Sequence, residues 1–289
     1  GKGFKGSKLG IALFWLKLKL KVYARYTVNI FAFRNYRRQT IKQYGKEVGF
    51  PVKTLIARNF PSYFIYDNLP ILSMTIREME FPYKPPKNIT YIGAMVYEKR
   101  VDTGYPEQDS LRLSKIIEAK KSQHKKLIYY GMGSMAKGDI AFIKKFFEAV
   151  ENEPNWILIV SLGKNLKTAD FINTPNNVSI FNWVSQPKLL KHIDCCINHV
   201  GMNTINECIH NKVPMLCYSW NMTDQNGNAA RMEYHGLAII GNKEKDDSET
   251  IRRDIAEILN ESSYKNRVTE FNTFYEIYKK KSLSSQLEI

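Results

Sequence analysis

The apolar positions of the chain change period near residue 105, and the two periods predict different structures. Leu9, Leu13, Leu16 and Leu20 recur at spacings of four, three and four, which places them on one helix face. Lys21 and Arg25, then Arg34, Arg38 and Lys42, form basic rows at i, i+4, so a helical segment is expected over 8–46. Gly49 and Pro51 end it. Short apolar runs follow at Val52–Ala57, Ile71–Ile76 and Thr90–Met95, with Pro82, Pro85 and Pro86 between the last two. One or two helices and two or three strands are expected here, too few for a self-sufficient sheet.

Past Gly104 and Pro106 the pattern becomes regular. Continuous apolar runs are expected as strands at Lys126–Tyr130, Trp156–Leu162, Val178–Trp183, Cys195–Val200, Val213–Trp220 and Leu237–Ile240. Helix-length segments separate most of them, at Asp139–Asn152, Gln186–His192, Asn203–Asn211 and Asp224–His235. Such alternation predicts right-handed crossovers and an open, doubly wound parallel α/β sheet. Ligands of these sheets bind beyond the carboxyl ends of the strands, which singles out the residues just after each run. The tail, 251–280, is expected as two helical pieces carrying an apolar stripe of Val268, Phe271, Phe274 and Tyr278.

Charge and cysteines sharpen this picture. The 289 residues carry a net charge of +15, but residues 1–53 hold thirteen Lys and Arg against one acid, Glu47. The basic excess is therefore regional. Three readings of 1–53 stay open: a solvated face, an interfacial amphipathic helix on anionic lipid, and a nucleic-acid surface, the last without any recognition motif beside it. The longest useful apolar run, Leu9–Leu16, is far short of the roughly 20 residues a bilayer crossing needs. Cys195, Cys196, Cys208 and Cys217 form no C-x-x-C pair, so zinc and disulfide frameworks are not indicated. Each is expected as a small buried thiol in a reducing compartment.

The stretch from Trp183 to Asn228 carries the chemistry. His199 ends one strand run, Gly201 permits a tight turn, and Asn203 and Thr204 open the next helix, whose free N–H groups favour an anion. An imidazole, an amide, a hydroxyl and a helix start converging on one point make a phosphate or diphosphate site without a Walker loop. Glu207 lies one turn further along the same face, where a carboxylate accepts hydrogen bonds from vicinal hydroxyls such as those of a ribose. Trp183, at the previous strand end, offers an indole for stacking on a base, and Asp224 with Gln225 offers polar groups suited to sugar hydroxyls. Gly131-Met-Gly-Ser134 after the first strand of this half suits a close backbone approach to a phosphate.

In order and spacing, Trp183-x-x-Gln186, His199-x-Gly201-x-Asn203-Thr204-x-x-Glu207, Val213-Pro214 and Asp224-Gln225-x-x-Asn228 resemble the donor-binding motif of the UDP-dependent glycosyltransferases, as Gly133-Ser134 resembles their phosphate-side loop. This family comprises plant secondary-product, bacterial macrolide and vertebrate glucuronosyl transferases. The resemblance implies a GT-B fold: two Rossmann-like domains facing a cleft, with the C-terminal helix crossing back. It divides the chain into a partial acceptor-side domain (1–98), a complete UDP-sugar-binding domain (99–262) and the crossing helix (263–289). It also implies a donor site of Gly133, Ser134, Trp183, Val184, Gln186, His199, Gly201, Asn203, Thr204, Glu207, Asp224 and Gln225. Trp183 would stack on uracil, Gln186 and Glu207 would hold the ribose, and His199, Thr204 and Ser134 the diphosphate. Asp224 and Gln225 would hold the transferred sugar. Met202 departs from the tryptophan usual in plant members.

The family's general base is a histidine near the start of the N-terminal domain. The first histidine here is His124, so no catalytic residue is assigned and the base is expected in sequence preceding Gly1. His192, His210 and His235 are expected to be structural or superficial, and His124 exposed. The function expected is inverting hexosyl transfer from a UDP-sugar to a hydroxyl of a small, hydrophobic or lipid-like acceptor. UDP-sugar serves as co-substrate, with no metal or other cofactor and no nucleic-acid partner. The chain is expected to be cytoplasmic, with peripheral contact to anionic membrane through 1–53. The alternatives are a non-catalytic or split nucleotide-sugar-binding module and, more remotely, a UDP-sugar 2-epimerase.

Overall fold

The computed structural model describes residues 8–33, 36–50, 69–96, 106–131, 133, 138–220 and 224–280. Two compact units divide the chain: Lys2–Ser73 with Lys84–Tyr91, and Met74–Tyr83 with Ile92–Ile289. In the first unit, the helical segment expected over 8–46 forms two helices, α1 (Lys8–Phe33) and α2 (Tyr36–Glu47). Strand β1 (Ile71–Ser73) pairs parallel with β2 (Ile89–Tyr91). Both are shorter than the apolar runs suggested. The chain after Ser73 turns into a 3-10 turn at Arg77–Met79, and Gly93 takes φ +85° after Tyr91. The expected strand at Val52–Ala57 lies outside the described residues.

The second unit holds a six-stranded parallel sheet. Its elements run α3 (Glu107–Ser122), β3 (Lys126–Gly131), α4 (Ile140–Glu151), β4 (Trp156–Ser161), β5 (Val178–Phe181), α5 (Gln186–Leu190) and β6 (Cys195–Asn198). They continue as α6 (Met202–His210), β7 (Met215–Cys217), α7 (Gln225–Tyr234), β8 (Ala238–Ile240), α8 (Ser248–Asn260) and α9 (Ser262–Lys280). The strand order is β5-β4-β3-β6-β7-β8, so consecutive strands progress outward from β3 and then, after a long crossover, outward from β6. That reversal opens a crevice between the carboxyl ends of β3 and β6, where Gly131 pairs in register with Asn198.

The strands read as unbroken apolar runs because helices cover both faces. Tyr129, Ile157, Ile159 and Cys196 join one core with residues of α5, α6, α7 and α9; Tyr130, Leu158, Val160 and Cys195 join the other with α4 and α8. Cys195 and Cys196 therefore face opposite cores, and all four cysteines are buried free thiols. Burial pushes the Cys195 thiol well above its ordinary range, which leaves it protonated and unreactive. Along α9, Val268 and Phe271 are buried, and Tyr278 packs against Gly93 while its hydroxyl accepts from the Arg77 N–H at 3.3 Å. Helix α3 was not anticipated: Leu113 is its one buried residue, so its apolar periodicity is faint.

Candidate functional site

The crevice holds a cavity of about 420 Å³ whose walls come from the ends of β3, β4 and β6 and the starts of α5 and α6. Sequence dictates its floor. Gly133 takes φ +68°, and a Cβ there would lie 2.4 Å from the His199 ring; a Cβ on Gly201 would lie 2.7 Å from His199 Nε2. Two glycines thus form the cradle in which the imidazole sits, and any side chain at either place would evict it.

His199 is half-buried. Burial is the largest influence on its pKa, which falls below the usual value; the Asp224 carboxylate and the Gly131 backbone oppose that fall. The ring is therefore neutral near pH 7. Its buried Nδ1 meets no hydrogen-bond partner among the described residues. Beside it, Gly201 is the N-cap of α6, and no side chain caps the helix. The first-turn N–H groups of Met202, Asn203 and Thr204 accordingly point into the crevice with the positive end of the helix dipole.

The opposite wall is a chain of side-chain hydrogen bonds. The Tyr129 hydroxyl donates to Gln186 Oε1 at 3.2 Å, and Gln186 Nε2 donates to Glu207 Oε2 at 2.6 Å. The relay fixes which way the Gln186 amide points. Glu207 is only 8 % exposed, so its carboxylate is held in a low-dielectric setting where a hydroxyl partner is worth more than in water. Trp183, 39 % exposed, stands at the rim, with the buried Val184 beside it.

Most of the expected donor residues converge here: Gly133, Trp183, Val184, Gln186, His199, Gly201, Asn203, Thr204, Glu207 and Asp224 all line the cavity. Gln225 does not. It is buried, and its Oε1 accepts from the Trp220 N–H at 2.7 Å, closing the loop before α7. Ser134 lies outside the described residues. His235 is structural, its Nε2 3.1 Å from the Met79 carbonyl oxygen.

A family model described as UDP-glucoronosyl and UDP-glucosyl transferase matches residues 69–281, well over half of the chain. The chain belongs to this family. Among its relatives, a putative UDP-glucuronosyltransferase (ugt-46) of Caenorhabditis elegans is 26 % identical over 207 residues, covering 69 % of this chain and 37 % of that protein. The oleandomycin glycosyltransferase of Streptomyces antibioticus is 28 % identical over 113 residues, covering 39 % and 26 %. Human UDP-glucuronosyltransferase 1A6 is 27 % identical over 203 residues, covering 68 % and 35 %. This member of the family thus spans about a quarter to just over a third of the length of these relatives.

The fold is the family's GT-B architecture on its Rossmann-like side. A crystal structure of the glycotransferase of kitacinnamycin superposes with a TM-score of 0.59 at 20 % identity, over 72 % of this chain and 51 % of that one. The calicheamicin glycosyltransferase CalG4 gives 0.58 at 15 %, over 74 % and 50 %.

Several residues of this transferase-family site were missed in the sequence. Tyr129, Ser161 and Gly163 line the cavity. Strand alternation was the available signal for Tyr129, since it shares its face of β3 with Gly131 at the strand end. Asn198 and Val200, which flank His199, gave no signal at all.

Proposed function

We propose that this chain binds a UDP-sugar and takes part in its transfer, with inversion, to a hydroxyl of a small hydrophobic acceptor. The observation that carries the reading is the meeting, in one cavity, of the glycine-cradled His199 and uncapped α6 start with the Gln186–Glu207 pair and the rim indole of Trp183. Trp183 stacks on uracil, while Glu207 and Gln186 take the ribose hydroxyls. The diphosphate lies against His199, Thr204 and the α6 N–H groups, which meet its charge without a metal. Asp224 faces the sugar. As the acceptor oxygen attacks the anomeric carbon and the bond to the β-phosphate oxygen breaks, negative charge grows on the leaving diphosphate. The helix start and the His199 N–H are already oriented toward that charge, so little reorganisation opposes the step.

The acceptor and the surface are read from α1. Leu9, Leu13, Leu16, Leu20 and Phe31 are exposed on this helix, as are Lys17, Lys21 and Arg25. No helix among the described residues is long and apolar enough to cross a membrane. An apolar stripe flanked by cations is suited instead to lie on an anionic lipid surface, where a hydrophobic acceptor would be met.

Two experiments test this. Incubation of the protein with UDP-sugars and a panel of small hydroxylated acceptors, read by NMR of the anomeric proton, is expected to give β-linked products from α-linked donors, slowly because the chain supplies no assigned base; α-linked products contradict inversion, and a chain that binds no UDP-sugar in calorimetry contradicts the donor reading. Flotation with vesicles of phosphatidylcholine alone or with phosphatidylserine is expected to recover the chain only with the anionic lipid. Equal recovery from both contradicts the charge-directed contact.

A further inference from the structure

Val200 stands in a conformation that its side chain opposes. Its φ is +64°, and among the described non-glycine residues only His124, Asn173 and Lys212 share that sign. Those three are polar, whereas Val200 is β-branched and completely buried. Such a backbone persists only where its surroundings over-determine it, and strain of this kind gathers at ligand sites. Here it joins the His199 imidazole to the Gly201 cap of α6, so its geometry sets where both point.

Two buried asparagines hold it. The Val200 N–H donates to Asn198 Oδ1 at 2.8 Å, and the Val200 carbonyl accepts from Asn228 Nδ2 at 3.1 Å. Asn198 is part of β6 and acts across one turn. Asn228, 3 % exposed, comes from α7, twenty-eight residues later. The same Asn228 amide nitrogen also donates to Asp224 Oδ2 at 3.1 Å. A primary amide carries two N–H bonds, which matches these two acceptors.

We propose that Asn228 is a positioning residue that couples the two limbs of the site. Through one amide it holds the strained His199–Gly201 turn on the diphosphate side and the Asp224 carboxylate on the sugar side. The role rests on the reading of the cavity as a UDP-sugar site. An isolated stability role would need neither acceptor in particular. The Asp224 carboxylate that Asn228 holds is also a charge that opposes the fall of the His199 pKa.

The test compares Asn228→Ala with Asn272→Ala, another buried asparagine, which donates to the His210 carbonyl away from the cavity. Calorimetry is expected to show Asn228→Ala losing about tenfold in UDP affinity and several-fold more for UDP-glucose, the scale of hydrogen bonds to charged groups. In the ligand-free chain, the His199 ring, followed by NMR, is expected to titrate at lower pH in Asn228→Ala, because Asp224 no longer holds its place. Asn272→Ala is expected to lower stability without either change. A folded Asn228→Ala with wild-type affinities and wild-type His199 titration overturns the proposal, and so does an Asn272→Ala that reproduces its effects. If the wild-type chain takes up neither UDP nor UDP-glucose, the cavity reading fails, and the ligand-free titration still decides for Asn228. Should Asn228→Ala not fold, the wild-type side-chain amide protons of Asn228 serve: both are expected to shift as His199 titrates, and unmoved signals overturn the coupling.

Discussion

The two edges of the parallel sheet carry two hollows, and the larger is the less interesting. At the amino ends of β3, β4 and β5 an open groove of about 750 Å³ runs between α3 and the Asn173–Asn177 loop. At the carboxyl ends of β3 and β6 the cavity is about 420 Å³. The groove is walled by helix, strand and loop residues, among them the exposed Gln123 and Asn176, and its one residue of positive φ, Asn173 at +59°, is an exposed asparagine, a type that tolerates it. The cavity is walled by a glycine with φ +68°, a buried carboxylate and an uncapped helix start, and a fully buried valine with φ +64° follows its histidine. Each of those costs folding free energy, and each is retained where the strand order reverses. Stored cost, rather than volume, marks the edge proposed to hold the donor.

The largest effect that would sharpen the contrast is expected at the cradle. Gly133→Ala places a methyl group 2.4 Å from the His199 ring in a backbone conformation that alanine resists. UDP affinity is expected to fall about 100-fold (~2.7 kcal/mol), with a loss of stability of about 1–3 kcal/mol in urea titration. Wild-type affinity in this variant would show that the ring has room to move and that the cradle is incidental.

Glu207→Ala comes next. It removes the acceptor of Gln186 Nε2 and with it the carboxylate proposed to meet the ribose. Calorimetry should register a tenfold to hundredfold loss for UDP, the range of about 1.5–3 kcal/mol for a hydrogen bond to a charged group. The loss should be smaller for 2′-deoxy-UDP, which has one hydroxyl fewer to lose. Equal losses for both nucleotides would place Glu207 outside ribose recognition.

The pH dependence of stability is expected to be smaller still. His192, His199 and His235 all have pKa values lowered first by burial. The unfolded chain binds protons near the ordinary histidine value of about 6.5, and the folded chain binds them only at lower pH. Between those values the unfolded state holds more protons, so stability is complete above about pH 6.5 and declines as pH falls through the folded values. Urea midpoints between pH 8 and pH 5 check this, and His199→Ala is expected to flatten the slope. Bound UDP, whose charge favours the imidazolium, is expected to oppose the decline.

At the other edge Gln123→Ala and Asn176→Ala are expected to change neither UDP affinity nor stability by more than about 0.5 kcal/mol, the usual range for exposed positions. A loss of UDP affinity in either would break the distinction between the two edges.

Much of the cavity was legible because its elements obey strong local rules. Short β-branched runs such as Trp156–Ser161, bounded by turn residues, read as strands buried on both faces, and the residues that follow them then fall at the ligand edge. The convergence of His199, Thr204 and Glu207 followed from the strand end, the Gly201 turn and one turn of helix, together with the resemblance of the motif to the family's. What stayed hidden depended on tertiary override. Val200 belongs to the residue class most at home in strands, and nothing local announces a positive φ there. Gln225 was expected at the sugar because it stands next to Asp224, yet it turns inward to hold the Trp220 N–H. Helix α3 escaped because one buried leucine makes a weak stripe. In the first unit, the spacing of the leucines correctly gave a helix over Lys8–Phe33.

The claim on which the account turns is that the neutral His199 ring and the start of α6 receive the diphosphate of a uridine nucleotide. Titration calorimetry of the chain with UDP, set beside His199→Ala and beside uridine as the phosphate-free probe, tests it most directly. UDP is expected to bind, uridine to bind far more weakly, and the substitution to erase most of the difference between them. Equal affinity of the wild-type chain for UDP and uridine, or a His199→Ala chain that still prefers UDP as strongly, would contradict it.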